Sequence, residues 1–419
     1  MVFLAWAAQH INFRQLLAKR LDEASSDVVV VPVFNETGIQ ASTVAAAGAA
    51  GGHCYGNAST MYNCGPWAAV DLPPGWRSRA KFELDFALGC GNGPRDVDCP
   101  QWDHVVTAQV CAMVDGRPCD SMNDGVEFGR WVTTFSRGIG RWVTDVSALM
   151  PLLAGNSRRR GASGEELQQV NVTIMTVPWA GNQGAIPWTA TLNLRFSEPV
   201  PPAHLLTRRD DSEPLLPLSV ALPFYDNAKD TYTTPSNGIY TYFRWIPFNQ
   251  SFNADYFSRP AAVDVPESAS RAILTAVISG HGNDNNGCGE FCSTRHDFAI
   301  NERYQGSVYH FDVFQGNPEG QYGCANGVSL GVTPNEYGTW LYGRDGWCNG
   351  REVGPRHLDV TEDLNYGTTN YLSYKGLWCP SANNCTDPDP QYNTQGAPDM
   401  MLRFYVTFYA PASVVLEEP

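Results

Sequence analysis

The stretch Lys81-Phe-Glu-Leu-Asp-Phe-Ala-Leu88 alternates strictly, with Phe82, Leu84, Phe86 and Leu88 on one side and Lys81, Glu83, Asp85 and Ala87 on the other. A period of two belongs to an extended chain with one face in a core. Similar runs recur downstream: HVVTAQVCAMV (104–114), NVTIMTV (171–177), TATLNLRF (189–196), LSVALPFY (218–225), AILTAVISG (272–280), YQGSVYHFDVF (304–314) and MMLRFYVTFYA (400–410). Gly, Pro, Asn or Asp bounds each run, so each is a strand candidate. VVVVPV (28–33) reads as a strand that Pro32 pushes toward a sheet edge. Residues 10–24 have helical spacing and predict a short amphipathic helix outside the main fold, and Val146–Gly155 is a helix-like piece interrupted by Pro151.

The chain therefore reads as all-β. Its 419 residues suggest two or three domains, and 39 glycines and 29 prolines fit turn-rich β architecture. The Pro-rich segment 198–217 predicts a linker. The expected organisation is an N-terminal extension of unknown role (1–66), a first β unit (67–197) and a second (218–412). Alternation alone leaves a jelly roll and an immunoglobulin-like sandwich both open.

Composition restricts the function. A net charge of −15 argues against nucleic acid, whose phosphates must be met by Lys and Arg. No apolar run is long enough to predict a membrane span. Twelve cysteines predict disulfides and an oxidising compartment, secreted or lumenal. Sequons at Asn35, Asn57, Asn171, Asn249 and Asn384 agree with export, although the N-terminal segment is a poor signal peptide. No nucleotide-binding, zinc-protease or serine-hydrolase signature occurs, and the eight histidines have no metal-ligand spacing, so no metal or cofactor is expected.

Three cysteine-bounded segments hold an acid or arginine beside an aromatic. Cys90-GNGPRDVD-Cys99 runs on to Pro100-Gln101-Trp102-Asp103-His104. Ser279-Gly-His281-Gly282 leads to Gly287-Cys288-Gly289-Glu290-Phe291-Cys292, then Arg295-His296-Asp297. The third is Arg344-Asp345-Gly346-Trp347-Cys348-Asn349-Gly350. A Cys-x-Glu-x-Cys loop limits the freedom of Glu290, and an indole beside a carboxylate suits a sugar ring with its hydroxyls.

Together these segments resemble the peptide-N-glycosidase F family, amidases that strip N-linked glycans from glycoproteins. The matching pieces are Cys99-Pro-Gln-Trp102-Asp103, Gly287-Cys-Gly-Glu290-Phe-Cys292 with His296-Asp-Phe-Ala-Ile-Asn301, and Trp340-Leu-Tyr-Gly-Arg344-Asp-Gly-Trp347-Cys348-Asn-Gly350. RWVTDVSALMPLLAGN (141–156) adds to the likeness, which covers about 67–196 and 265–410.

The resemblance implies two eight-stranded antiparallel jelly rolls packed side by side, with a glycan cleft between them. It implies Asp103 as base or nucleophile toward the Asn side-chain amide, Glu290 as the second acid and Arg344 as its supporting arginine. Trp102, Trp179, His104, His281 and Trp347 become candidate glycan contacts. Disulfides are expected at Cys90–Cys99, Cys288–Cys292 and Cys324–Cys348; Cys54–Cys64, Cys111–Cys119 and Cys379–Cys385 are local possibilities.

Several positions depart from the family pattern. A family acid is replaced by Val177, an arginine by His104 and a tryptophan by His281, and the first cysteine loop is longer. The expected activity is hydrolysis of the bond between GlcNAc and Asn in glycoproteins or glycopeptides, by a monomer. Two rivals are a glycan-binding jelly roll without turnover and an endo-glycosidase that uses the same acid pair.

Overall fold

The computed structural model describes residues 2–22, 27–39, 53–55, 63–90, 103–111, 125–135, 140–154, 157–160, 166–176, 188–197, 214–224, 245–282, 289–301, 308–313, 323–334, 339–381, 384–389 and 398–417. Its principal strands fall into two sets of eight. The first set is β1 (Val29–Ile39), β2 (Trp67–Asp71), β3 (Lys81–Cys90), β4 (Val105–Cys111), β5 (Gly125–Val132), β6 (Gly140–Asp145), β7 (Glu166–Thr176) and β8 (Trp188–Ser197). The second is β9 (Leu215–Ala221), β10 (Ala261–Asp264), β11 (Arg271–His281), β12 (Thr294–Ile300), β13 (Val308–Val313), β14 (Arg356–Asp359), β15 (Thr369–Ser381) and β16 (Asp399–Pro411).

Pairing decides what alternation left open. The first set forms sheets ordered β1-β8-β3-β6 and β2-β7-β4-β5. The second repeats the same path as β9-β16-β11-β14 and β10-β15-β12-β13. Two antiparallel sheets wound in that order form a jelly roll, so the chain is two jelly-roll domains side by side. The first domain takes its edge strand from the segment read as an extension, because Val29–Ile39 pairs along β8 from Val29↔Phe196 to Ile39↔Trp188. Pro32 sits in this edge strand, as proline in a sheet usually does, next to a register shift between Pro32 and Phe34. β9 begins at Leu215, inside the expected linker; residues 198–213 lie outside the described segments.

The alternation of 81–88 is real, but its polar side is not solvated. Phe82, Leu84, Phe86 and Leu88 are buried, and so are Glu83 and Asp85. Arg20 and Lys81 pair with Glu83, and Arg141 holds Asp85 with two 3.1 Å hydrogen bonds. Arg20 comes from helix α1 (Val2–Asp22), which starts earlier than its periodicity predicted. Nor is the helix detached. Trp6 meets Trp340 edge-on at 5.1 Å, and His10 Nδ1 lies 3.1 Å from the Val332 carbonyl. The sequon at Asn171 is also no surface acceptor, since that residue is buried within β7.

The two domains share a core. Val277, Trp347, Val353, Met401 and Tyr405 of the second pack into the hydrophobic cluster of the first. Polar bonds fix the register of that contact: Trp142 Nε1 donates to Gly350 O (2.8 Å), the Val353 amide to Arg130 O (2.9 Å) and Thr407 Oγ1 to Ala148 O (2.7 Å).

Candidate active site

Asp103 lies two residues before the start of β4. The chain here is pinned by reciprocal bonds between His104 and Thr133: Thr133 N donates to His104 O, and His104 N donates to Thr133 Oγ1, both at 2.8 Å. Asp103 is thus held at a strand end, where a side chain can be aimed without depending on a long loop.

Glu290 and Arg344 come from two second-domain turns stitched to the end of β11. The Glu290 amide donates to Gly282 O, the Asp345 amide to Glu290 O and the Gly280 amide to Asp345 O, at 2.9, 2.9 and 2.7 Å. Two glycines permit this packing. Gly289 has φ +95°, and a Cβ there would fall 2.3 Å from His281 O; Gly346 has φ +87°, and a Cβ there would fall 2.0 Å from Ile278 O. Such φ values suit glycine, and no side chain fits at those distances.

Arg344 Nε donates to Glu290 Oε1 at 2.5 Å, and its guanidinium lies over the Phe291 ring (4.4 Å) and the Trp347 ring (5.4 Å). The aromatic faces hold the cation in place and favour its charge. Behind the turn, Thr294 Oγ1 donates to Asp345 Oδ1 at 2.6 Å. The same hydroxyl lies 3.0 Å from His296 Nε2, and His296 Nδ1 lies 2.7 Å from Tyr374 OH. His296 is fully buried in this chain, and burial lowers its pKa to about 3, so the ring is neutral.

Electrostatics link the acids across the domain boundary. Burial raises the Asp103 pKa, and Arg344 pulls it back down. Burial and the Asp103 charge push Glu290 up to about 8 against the pull of Arg344. Two interacting carboxyls that lose protons in sequence give the site one proton-holder and one base near neutral pH.

Among the sequence-predicted residues, Asp103, Glu290, Arg344, Trp347 and His281 come together here. The His281 ring stacks 6.1 Å from Trp347, with its Nε2 2.8 Å from Ser279 Oγ. His104 is instead buried edge-on against Trp188 at 5.0 Å. Trp102, Val177, Trp179, Cys99 and Cys288 lie outside the described residues. Cys324–Cys348 and Cys379–Cys385 are formed, Cys90 is disulfide-bonded, and Cys292 is buried in the second core. Cys54 and Cys64 are directly paired in a small two-stranded sheet, while Cys119 lies outside the described residues.

The sequence reading missed Glu127 and Arg130. Arg130 is fully buried and makes a two-bond pair with Glu127 (2.7 and 2.9 Å). It also crosses to Ser279 Oγ (2.9 Å) and Met401 O (2.7 Å) of the second domain. Opposite charges in Gly125–Val132 were the available signal, but only the folded contact shows what Arg130 reaches.

Fold and site define a two-domain jelly-roll protein with an acid pair assembled across its domain interface. Residues 248–403 match the family described as the C-terminal domain of peptide-N-glycosidase F. The fold of the whole chain is similar to recombinant peptide:N-glycanase F, at 16% identity, covering 92% of this chain and 96% of that one with a TM-score of 0.57. A glycosylasparaginase structure from Flavobacterium meningosepticum, also named PNGase F, aligns at 16% identity over 92% of this chain and 97% of that one, TM-score 0.55. PNGF-II aligns at 11% identity over 94% of this chain and 68% of that one, TM-score 0.54. No curated protein matches the chain by sequence. Residues 248–403, which hold the second and third motifs, thus carry the peptide-N-glycosidase F likeness, and the chain shares that fold.

Proposed function

We propose that the protein is an amidase that hydrolyses the bond between N-linked GlcNAc and the Asn side chain. It would release a glycosylamine and leave Asp in place of Asn. One observation carries this reading: Asp103 of the first domain and Glu290 of the second share an electrostatic environment, with Arg344 acting on both. Amide hydrolysis needs an activated nucleophile, help for the leaving nitrogen and compensation for charge at the carbonyl oxygen. Asp103, drawn toward ionisation by Arg344, acts on the amide carbon directly or through water. Glu290 keeps its proton to about pH 8 and can pass it to the leaving nitrogen. Arg344 stabilises the negative charge passed between them.

Trp347 and His281, packed beside Arg344, are the candidate sugar contacts among the described residues, with Trp102 and Trp179 the remaining candidates. The disulfides support a secreted or lumenal setting, and no helix among the described residues is long and apolar enough to cross a membrane.

Mass spectrometry of a treated N-glycopeptide tests the reading. A gain of about one mass unit on the deglycosylated peptide marks Asn-to-Asp conversion and supports the amidase. A single GlcNAc left on Asn points to a glycosidase, and an unchanged glycopeptide points to a binding protein.

A further inference from the structure

His281 and Asp399 are directly paired at the end of the β11–β16 ladder. Directly paired residues project from the same face of a sheet, and so do residues two positions along. This face is turned toward the first domain. The next pair along it, Ser279 and Met401, receives Arg130, and the one beyond, Val277 and Arg403, meets the first domain's core and Glu127.

Neither basic group on this face pairs with Asp399, although Arg403 Nη1 is buried without a hydrogen-bond partner among the described residues. Arg130 bonds Glu127, Ser279 and Met401 O, and Arg403 lies 3.7 Å from Glu127. An arginine only donates, so Ser279 Oγ accepts from Arg130, and the same hydroxyl lies 2.8 Å from His281 Nε2. Burial, with the Arg130 charge nearby, keeps His281 neutral. The Asp399 carboxyl makes no hydrogen bond or ion pair with any described residue. Desolvation alone acts on its carboxyl and raises its pKa to about 7. The side chain is half-buried, so it stays open to a ligand, and a partly desolvated carboxyl with no protein partner calls for an explanation.

Its position supplies one. Pro398 touches Gly289, the residue before Glu290: a Cβ on that glycine would fall 2.9 Å from Pro398 Cα. The opposed His281 ring stacks near Trp347, which in turn holds Arg344.

We propose that Asp399 is an additional glycan-binding residue, whose hydrogen bonds are completed by a hydroxyl or acetamido group of the sugar held beside Glu290. The inference rests on the reading of this cleft as a glycan site. A carboxyl that keeps its proton donates one bond and accepts another, which matches a neutral acetamido sugar better than an anionic one.

The test titrates the full chain with di-N-acetylchitobiose by calorimetry, comparing wild type, Asp399→Asn and Asp399→Ala, and records Tm for each. Asp399→Ala weakens binding about tenfold or more, Asp399→Asn by less than about threefold, and neither lowers Tm, since only an unsatisfied group is lost. Unchanged affinity in Asp399→Ala overturns the inference, and so does a fall in Tm in both variants, which would mark a structural carboxyl. A wild-type protein that binds no saccharide also overturns it. Saccharide binding without Asn-to-Asp conversion removes the amidase reading alone, and the affinity comparison still decides Asp399.

Discussion

Replacing Glu290 by Gln tests the site through stability, without reference to turnover. In the folded protein this carboxyl holds its proton to about pH 8, against an ordinary glutamate value of 4.5. Between those values the native state binds more protons than the unfolded chain, so ionisation of Glu290 makes stability fall as pH rises. The effect is absent below pH 4.5 and complete above 8. Each pH unit of difference corresponds to about 1.4 kcal/mol, which sets an upper bound of roughly 5 kcal/mol. Asp103 titrates together with Glu290 and remains in both proteins, which leaves on the order of 2–3 kcal/mol to the glutamate itself.

Gln keeps the shape and has no proton to lose. The stability of Glu290→Gln relative to wild type should therefore rise steadily from pH 5 to 8. Contributions from Asp399 and Asp345 are common to both proteins and cancel in the difference. Denaturant unfolding at four pH values, checked against calorimetric Tm, measures it. Parallel pH profiles for the two proteins would refute the claim that Glu290 is protonated in the fold at neutral pH.

Other perturbations reach different parts of the design. Asp103→Asn should abolish Asn-to-Asp conversion in the glycopeptide assay and leave Tm and circular dichroism unchanged; retained turnover removes Asp103 from the chemistry. Gly346→Ala places a Cβ 2.0 Å from Ile278 O at φ +87°, so the turn carrying Arg344 must shift by about an ångström. Misplacement on that scale costs about 10²-fold in rate, read as a fall in kcat larger than any rise in KM. Arg130→Met leaves buried Glu127 with only the longer 3.7 Å contact to Arg403 and should cost about 3 kcal/mol in chemical denaturation. Glu127→Leu combined with Arg130→Met should recover part of that loss. Opening the Cys324–Cys348 bridge with a double Ala substitution frees a loop of 24 residues and should cost about 3 kcal/mol, measured by the same unfolding assay.

The legible parts of the fold were those written in short-range pattern. KFELDFAL identified a strand because a period of two has one structural meaning, and the same held for the runs that became β8, β11 and β16. Gly125–Val132 and Thr369–Ser381 passed unnoticed: they carry Gly, Arg, Lys or Pro among their apolar residues and are buried on both sides by partners distant in sequence. Residues 28–33 read as a strand but not as part of the first domain, because an edge strand is assigned by its partner, here β8, which also carries the strand on to Ile39.

The site divides in the same way. Asp103, Glu290, Arg344 and Trp347 were visible because each stands in a stiff cysteine- and glycine-marked segment, a requirement that leaves local traces. His104 is a candidate contact by its place beside Asp103, and only the fold shows that its ring is buried against Trp188. Arg130 and Asp399 left no trace, since each matters only through what lies across a domain boundary or a ladder.

The sequence by itself determined the all-β class, because alternation is a property of the chain; cysteine content and motif spacing supplied the expectation of an oxidising compartment and the acids proposed for the site. Tertiary structure alone decided that strands run in the jelly-roll order, that residues 29–39 complete the first domain, and that Asp103 meets Glu290. Coulomb coupling and desolvation depend on distance in space, and folding sets that distance between residues almost 190 positions apart in the chain.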